Sequence, residues 1–463
     1  MNRSITYKSA PVKNISLRFL KNVSQRSTVH VGIDIGKRKL FVVCRWTPAR
    51  SKRVEFENPW VVENPNEIKI LIQKLLKIKQ KAKLLVGIES TGSYGDPLRQ
   101  ALADAKIEVH QLRTKLTHDY AEIFDGVPSQ HDGKDAAVIA DLLAQNKGTP
   151  WNFNASTETD NEMKYLVQKL IDARKELERL QGKLEGLLAR YWPGITEFLC
   201  LTSLTLLKLL ELYGGPSGLC KDAKAKEMIR KFSCARVNEE KSKIVVDSAR
   251  STNGVRQQAW DVQYVKDVAQ RVLDLHRLTG RSKKRLKELI EKSPVELQRM
   301  SKILGVGTAS VVWCNTGDPR RYHCADAWVK AMGLNLTERS SGEYQSALRI
   351  SKRGDSETRR WLYLSALRWV QQSPVKEWYQ RKKQSTGYPV RGHSGVVTSG
   401  KAIIAVVRKL MKGIWYSLVR DVPFDPNVLF QKGSSKRKDS VCGIGGRPRR
   451  KKSQSGSATK VSR

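Results

Sequence analysis

The sequence predicts an α/β domain followed by a mainly helical remainder. Three observations carry this. Between residues 29 and 150, short apolar runs of strand length alternate with segments of helical spacing. From residue 158 the pattern changes to a sustained heptad seam, which returns after residue 265. Residues 299–430 then read as a further mixed or helical domain.

The elements follow in order. Val29–Ile33 is a short apolar strand and Leu40–Trp46 its hairpin partner, with Val54–Phe56 a third, short strand. Ile68–Ile78 has helical spacing, Leu84–Ile88 is a second buried strand, and Ile107–Leu112 another. Asp132–Ala144 reads as a helix with Asp132 and Asp135 at its start. Alternation of this kind suits an α/β layer. Met163, Leu166, Leu170, Ala173, Leu177 and Leu180 alternate spacings of three and four. A second seam runs through Val265, Val268, Val272 and Leu275, weakens at Thr279 and Ser282, and resumes at Leu286 and Leu289. Such helices pair antiparallel within one chain or between chains. Five segments result: a basic arm (1–28), an α/β domain (29–150), a coiled-coil arm with an inserted subdomain (151–298), a C-terminal domain (299–430) and a disordered basic tail (431–463).

The chain has 463 residues, a formal net charge of +40 and a pI near 10.1. A balance this basic points to a polyanion, with affinity that falls steeply as salt rises. No apolar run approaches the ~18–20 residues that span a bilayer. The stretch before Asp34 carries Arg3, Lys8, Lys13, Arg18, Lys21 and Arg26 and no acid; it reads as a disordered basic arm rather than a transit peptide. Seven cysteines without a CxxC pair argue against a zinc ribbon or a disulfide framework. Residues 432–463 hold eleven Lys/Arg and one acid, Asp439, and read as a solvated tail.

Four acids stand out. Asp34 closes an apolar strand in Gly32-Ile33-Asp34-Ile35-Gly36, and Glu89 closes the second in Val86-Gly87-Ile88-Glu89. Asp132 and Asp135, three apart on one helix, share a face. Grouped carboxylates repel unless a cation neutralises them, and hard Mg²⁺ suits oxygen ligands. Two such ions can serve phosphodiester chemistry. Taken singly, an acid after a strand is a turn or cap residue, and acids early in a helix favour its dipole. The order of all four in a basic chain favours the metal reading.

A second constellation lies downstream. Gly305-Val306-Gly307 can present backbone N–H groups to a phosphate or serve as a packing turn. Ser340-Ser341-Gly342 follows, then Lys352, Arg353, Arg359 and Arg360 among Trp361, Tyr363 and Trp369. These arginines grip phosphates or cover an aromatic core.

The motifs GIDIGKRKL, VGIESTGSYG and HDGKDAAVIADLL resemble those of the DEDD transposases of bacterial insertion sequences, a family that includes Piv-type DNA invertases and bridge-RNA-guided recombinases. ILGVGTAS, SSGEYQ, RISKRGD and KAIIAVVRKL are similar to that family's C-terminal domain, so the resemblance covers residues 29–150 and 299–415. Where the family commonly has Lys-Thr-Asp, this chain has Gln130-His131-Asp132. The resemblance implies a RuvC-like, RNase H-type domain with Asp34, Glu89, Asp132 and Asp135 binding Mg²⁺ or Mn²⁺. It implies a serine nucleophile, Ser340 aligning with the family's Ser-Thr-Gly form and Ser341 with its Ser-Gly form. It further implies donor and target DNA as partners, a guide RNA, a homodimer or homotetramer, and a place in the bacterial cytoplasm at the nucleoid. Three other readings share parts of the pattern: a RuvC-like junction nuclease, an actin-like ATPase or sugar kinase through Gly-Ile-Asp-Ile-Gly, and a non-catalytic architectural nucleic-acid binder.

Overall fold

The computed structural model describes residues 8–48, 53–89, 92–127, 131–151, 157–337, 340–341, 344–345, 349–385 and 400–431. The chain divides into two compact units, residues 1–158 and 159–463.

The first unit is a mixed sheet between helices. Its strands are β1 (Ala10–Pro11), β2 (Thr28–Ile35), β3 (Lys39–Trp46), β4 (Glu55–Phe56), β5 (Trp60–Glu63), β6 (Lys83–Glu89), β7 (Val109–Leu112) and β8 (Thr149–Trp151). They lie in the order β1-β5-β3-β2-β6-β7-β8, with β4 paired to β3. The centre is antiparallel between β5, β3 and β2, and parallel from β2 through β6 to β7. The helices are α1 (Ile68–Lys81), α2 (Asp96–Asp104), α3 (Thr114–Asp125) and α4 (Asp132–Ala144).

Period-two alternation assigns the two faces. Val29, Val31 and Ile33 on β2 pack with Leu71, Leu75 and Ile78 of α1. The intervening residues His30, Gly32 and Asp34 turn to the opposite face, where α4 lies. Gly32 is the reason α4 sits so close. A Cβ there would stand 2.0 Å from the Ala136 carbonyl oxygen and 2.5 Å from the Ala140 nitrogen. Gly32 is also in register with Gly87 of β6. Two adjacent glycines thus form a saddle, and the small residues Ala136, Ala137 and Ala140 of α4, all buried, ride over it.

The expected disordered arm is corrected for residues 8–27. Pro11 and Ala10 form β1 against β5, Val12 and Phe19 are buried, and Phe19 stacks on Trp46 at 4.5 Å. Val12, Ile15, Leu17, Phe19 and Leu20 join the α1-side core, so burial of apolar side chains outweighs the charge of their neighbours. The element β5 was not anticipated from the sequence: four residues are too few to show alternation.

The second unit is almost wholly helical. Its two long helices are α5 (Glu158–Tyr191) and α11 (Ala259–Glu291). Between them come α6 (Ile195–Phe198), α7 (Leu204–Tyr213), α8 (Pro216–Leu219), α9 (Ala225–Phe232) and α10 (Glu239–Arg250). The long helices run antiparallel. Arg285 pairs with Glu162 at 2.6 Å near one end, and the Tyr191 hydroxyl donates to Asp261 at 2.7 Å near the other. Their seams feed two separate clusters. Leu180, Leu184 and Leu188 pack with Val265, Val268 and Val272. Met163, Leu166 and Leu170 pack with Leu286 and Leu289. The split falls where the second seam carries Thr279 and Ser282.

Beyond α11 come α12 (Val295–Leu304), α13 (Val306–Thr316), α14 (Ala325–Ala331), α15 (Ser356–Trp369), α16 (Val375–Ser385), α17 (Gly400–Val419) and α18 (Pro426–Phe430). A small ribbon interrupts them: β9 (Leu336–Thr337) pairs with β12 (Arg349–Ile350), and β10 (Ser340–Ser341) with β11 (Tyr344–Gln345). The boundary expected near residue 298 is not a structural break, because Met163–Ile171 share one core with Leu297, Trp328, Leu362 and Ile403. The tail from 432 to 463 lies outside the described residues.

Candidate active site

Three elements bring the four acids to one face of the sheet. Asp34 is the penultimate residue of β2, on the α4 side, and Glu89 ends β6 on the same side. Asp132 and Asp135 open α4, which the Gly32–Gly87 saddle places directly above those strand ends. Asp132 is exposed; Asp34, Glu89 and Asp135 are half-buried.

Electrostatics register the convergence. The Asp34 carboxyl is pushed from its ordinary 3.8 up to about 7, first by burial, then by Asp135, Asp132 and Glu89. Asp135 is raised by burial and by Asp132, against the opposing pull of His131, Lys134 and His118. Burial and like charge both disfavour the ionised form. Among the described residues, no three acidic, imidazole or thiol side chains draw close enough to enclose one ion. The side chains of the quartet are all carboxylates, which suit a hard divalent cation such as Mg²⁺ or Mn²⁺, and the charge crowding at Asp34 is what such a cation would relieve.

Supporting contacts fix the frame. Thr117 of α3, buried, donates its hydroxyl to Glu89. Lys134, between the two aspartates, is fully buried; its ammonium donates to Asp125 at 2.7 Å and to the Val127 carbonyl at 2.5 Å. That ion pair ties the end of α3 to the first turn of α4. His131 caps α4, its Nδ1 accepting from the Lys134 N–H at 3.2 Å. Asp141, further along α4, accepts from Arg45 Nε of β3 at 2.8 Å and from the Tyr120 hydroxyl at 2.8 Å. So α4 is held at both ends. Sequence reading missed Thr117, Lys134 and Asp141. For Lys134 a signal existed: it sits three and four residues before Ala137 and Val138, on the buried face of the helix.

The downstream residues lie in the second unit. Ser340 and Ser341 form β10, in register with Gln345 and Tyr344; Gly342 lies outside the described residues. Gly305 takes φ +84° between α12 and α13, a conformation that favours glycine. Gly307 is buried against the Trp361 ring. Arg368 donates to the Leu304 carbonyl at 3.1 Å beside this turn. Lys352, at φ +55°, and Arg353 are exposed. Arg359 donates to the Gly354 carbonyl at 2.8 Å, and Arg360 pairs with Glu178 of α5. Trp361, Tyr363 and Trp369 pack against the helical core.

Comparison with known proteins gives a consistent set of likenesses. Residues 31–193 match a family model of DEDD-type IS110 transposases, described as a transposase. Residues 297–380 match a second, described as the transposase IS116/IS110/IS902 family. Together these cover more than half of the chain. The chain is similar to the insertion element IS110 uncharacterized 43.6 kDa protein of Streptomyces coelicolor, 23% identical over 403 residues, which span 86% of this chain and 95% of that one. Among solved structures it shows a slight likeness to T. thermophilus RuvC in complex with a Holliday junction substrate, 12% identical over 27% of this chain and 99% of that one, with a TM-score of 0.21.

Proposed function

Because the chain belongs to the IS110 family of transposases, we propose that it cuts and rejoins DNA at the Asp34–Glu89–Asp132–Asp135 array, with a serine of β10 as nucleophile. The observation that carries the reading is Asp34, raised to about 7 by burial and by the other three acids. The strand order, three antiparallel strands flanked by two parallel ones, supports a RuvC-like, RNase H-type reading of the first unit. The antiparallel α5–α11 pair supports reading 151–298 as a coiled-coil arm.

A bound Mg²⁺ or Mn²⁺ would neutralise phosphate charge and sharpen the nucleophile. The protein's own part is positional. β2 and β6 fix two carboxylates on a rigid edge, and α4 sets the other two above them. Burial and the three neighbouring acids hold the Asp34 carboxyl up near 7, and a bound cation would favour its ionised form. Serine attack forms the Oγ–phosphorus bond and breaks the bond from phosphorus to the 3′ oxygen. The serine proton leaves to a base and the 3′ oxygen takes one up, so the exchange is proton-neutral. Ser340 is the first choice and Ser341 the second. Lys352 and Arg353, with the Gly305–Gly307 turn and Arg359 and Arg360, form the surface that grips phosphates beside the ribbon. The proposal includes a structured guide RNA and a dimer or tetramer, both carried over from the resemblance to the family alone.

The test is Mg²⁺-dependent strand exchange on supercoiled DNA carrying the element's ends. Asp34→Ala, Glu89→Ala and Ser340→Ala should each abolish it while the protein stays folded, Asp34→Ala melting no lower than wild type. If Ser340→Ala and Ser341→Ala both recombine DNA, the serine step is wrong. A clean hydrolytic nick without a covalent protein–DNA adduct would favour the junction-nuclease reading instead. Sequencing of nucleic acid that co-purifies tests the RNA.

A further inference from the structure

The opposite side of the first unit carries a charge pattern that the carboxylate array does not use. Helix α1 holds Lys69, Lys74, Lys77, Lys79 and Lys81 and no acid. The folded arm beside it holds Lys8, Lys13, Arg18, Lys21 and Arg26, all exposed, again without an acid. Contacts join the two segments. Lys74 Nζ donates to the Ile15 carbonyl at 2.6 Å, and the first strand of the arm runs along β5. Lys83, exposed at the start of β6, meets the end of the arm through its N–H and the Ser27 carbonyl at 3.2 Å.

Some cations of the second unit stand in ion pairs. Arg174 reaches Glu178 and Glu357, Arg179 reaches Glu176, and Arg285 reaches Glu162 and Glu288. Among the described residues, no ion pair involves a lysine or arginine of the arm or of α1. Their like charges act on one another: the Lys74 ammonium is lowered by burial and then by Lys77. A surface of uncompensated positive charge costs stability through self-repulsion and is relieved by an anion.

We propose that the arm and α1 form a docking surface for duplex DNA, distinct from the scissile segment and on the other side of the sheet from it. The side chains themselves favour this occupant. Lysine is a compact point charge that neutralises phosphates without reading bases. Among the described residues the face offers no stacking platform, since none of the exposed large apolar residues of the first unit, Val54, Tyr94, Ile123 and Val127, lies on the arm or α1. Single strands are held on such platforms, and a membrane surface is held by an apolar face. Because β2 alternates its side chains, a strand lying at Asp34 is separated from this surface by the sheet and α1. The duplex held here is therefore DNA that flanks the cut site.

The experiment measures binding of a 40-base-pair duplex to the full-length protein at several NaCl concentrations. The variant is Lys13→Gln, Lys21→Gln, Lys77→Gln and Lys81→Gln combined. The slope of log affinity against log salt should shrink by about 0.9 for each lysine that meets a phosphate, so by up to about 3.6. A Lys→Arg variant of the same four positions should keep the slope, and Asp34→Ala should keep it too, which separates this surface from the catalytic reading. A charge-matched control removes Lys224, Lys226, Lys241 and Lys243 of the second unit. The proposal is overturned if the slope is unchanged, if the control loses as much, or if only binding of a structured RNA is lost. Strand exchange at saturating DNA should survive in the quadruple variant.

Discussion

Asp34→Asn should stabilise the first unit, and by an amount that grows with pH. In the folded chain the carboxyl titrates at about 7, and in the unfolded chain at its ordinary 3.8. A folded pKa above the unfolded one means that ionisation favours unfolding. The penalty is absent below about pH 3.8, builds as the unfolded chain ionises, and is complete once pH passes 7. Three pKa units at about 1.36 kcal/mol each give roughly 4 kcal/mol at the plateau. By pH 5 about 1.6 kcal/mol has accrued, so the span from pH 5 to pH 8 is worth about 2.5 kcal/mol, and about 2 after allowing for partial solvent access. Asparagine carries no charge and escapes the penalty. Urea denaturation of wild type and variant at both pH values, in EDTA, reads the difference directly. The variant's advantage should widen by about 2 kcal/mol from pH 5 to pH 8, and added Mg²⁺ should narrow it at pH 8 by binding only the wild-type array. An advantage that is the same at both pH values, or absent, would show that the four acids do not crowd one another.

Two further predictions concern the frame. Gly32→Ala should cost about 3 kcal/mol or more, because its methyl meets the backbone of α4, whereas Gly87→Ala, which meets only side-chain ends 3.0 Å away, should cost about 1 kcal/mol. Equal melting temperatures for the two variants would mean that α4 is not seated on Gly32. Lys134→Met should destabilise by about 3 kcal/mol, since it removes the buried ammonium that donates to Asp125 and to the Val127 carbonyl. A double-mutant cycle with Asp125→Asn should recover part of that loss; strict additivity would show that the pair is not coupled.

The parts of this architecture that the sequence displays are those fixed by local periodicity. α4 begins and ends as its pattern predicts, Asp132 to Ala144, because acids open it and unbroken apolar residues follow. β2 and β6 were readable as apolar runs, and Asp34 and Glu89 as the acids that close them. Non-local arrangements were not readable. β5 is recognisable only through its pairing with β3 and β1. The arm was misjudged because five exposed cations mask Val12 and Phe19, whose burial depends on α1 and Trp46. Gly32 stood in a motif, but its function as a seat for a helix a hundred residues later needs three dimensions. Likewise, no local signal shows that the first half of α5 and the helices after residue 295 share one core.

The hydrogen bond from Tyr191 to Asp261 has a consequence for how such a chain changes over generations. It puts the exit of α5 and the entry of α11 side by side, so everything from 192 to 258 leaves and returns at one point. A segment with adjacent ends is a replaceable cassette: exchanging it leaves the register of both long helices intact. The one demand on a replacement is an apolar face of its own, since Leu206 and Leu210 now share a core with Val265, Ala269 and Val272. Lineages could therefore alter what this end of the molecule touches while the carboxylates, all of them before residue 136, stay under separate selection.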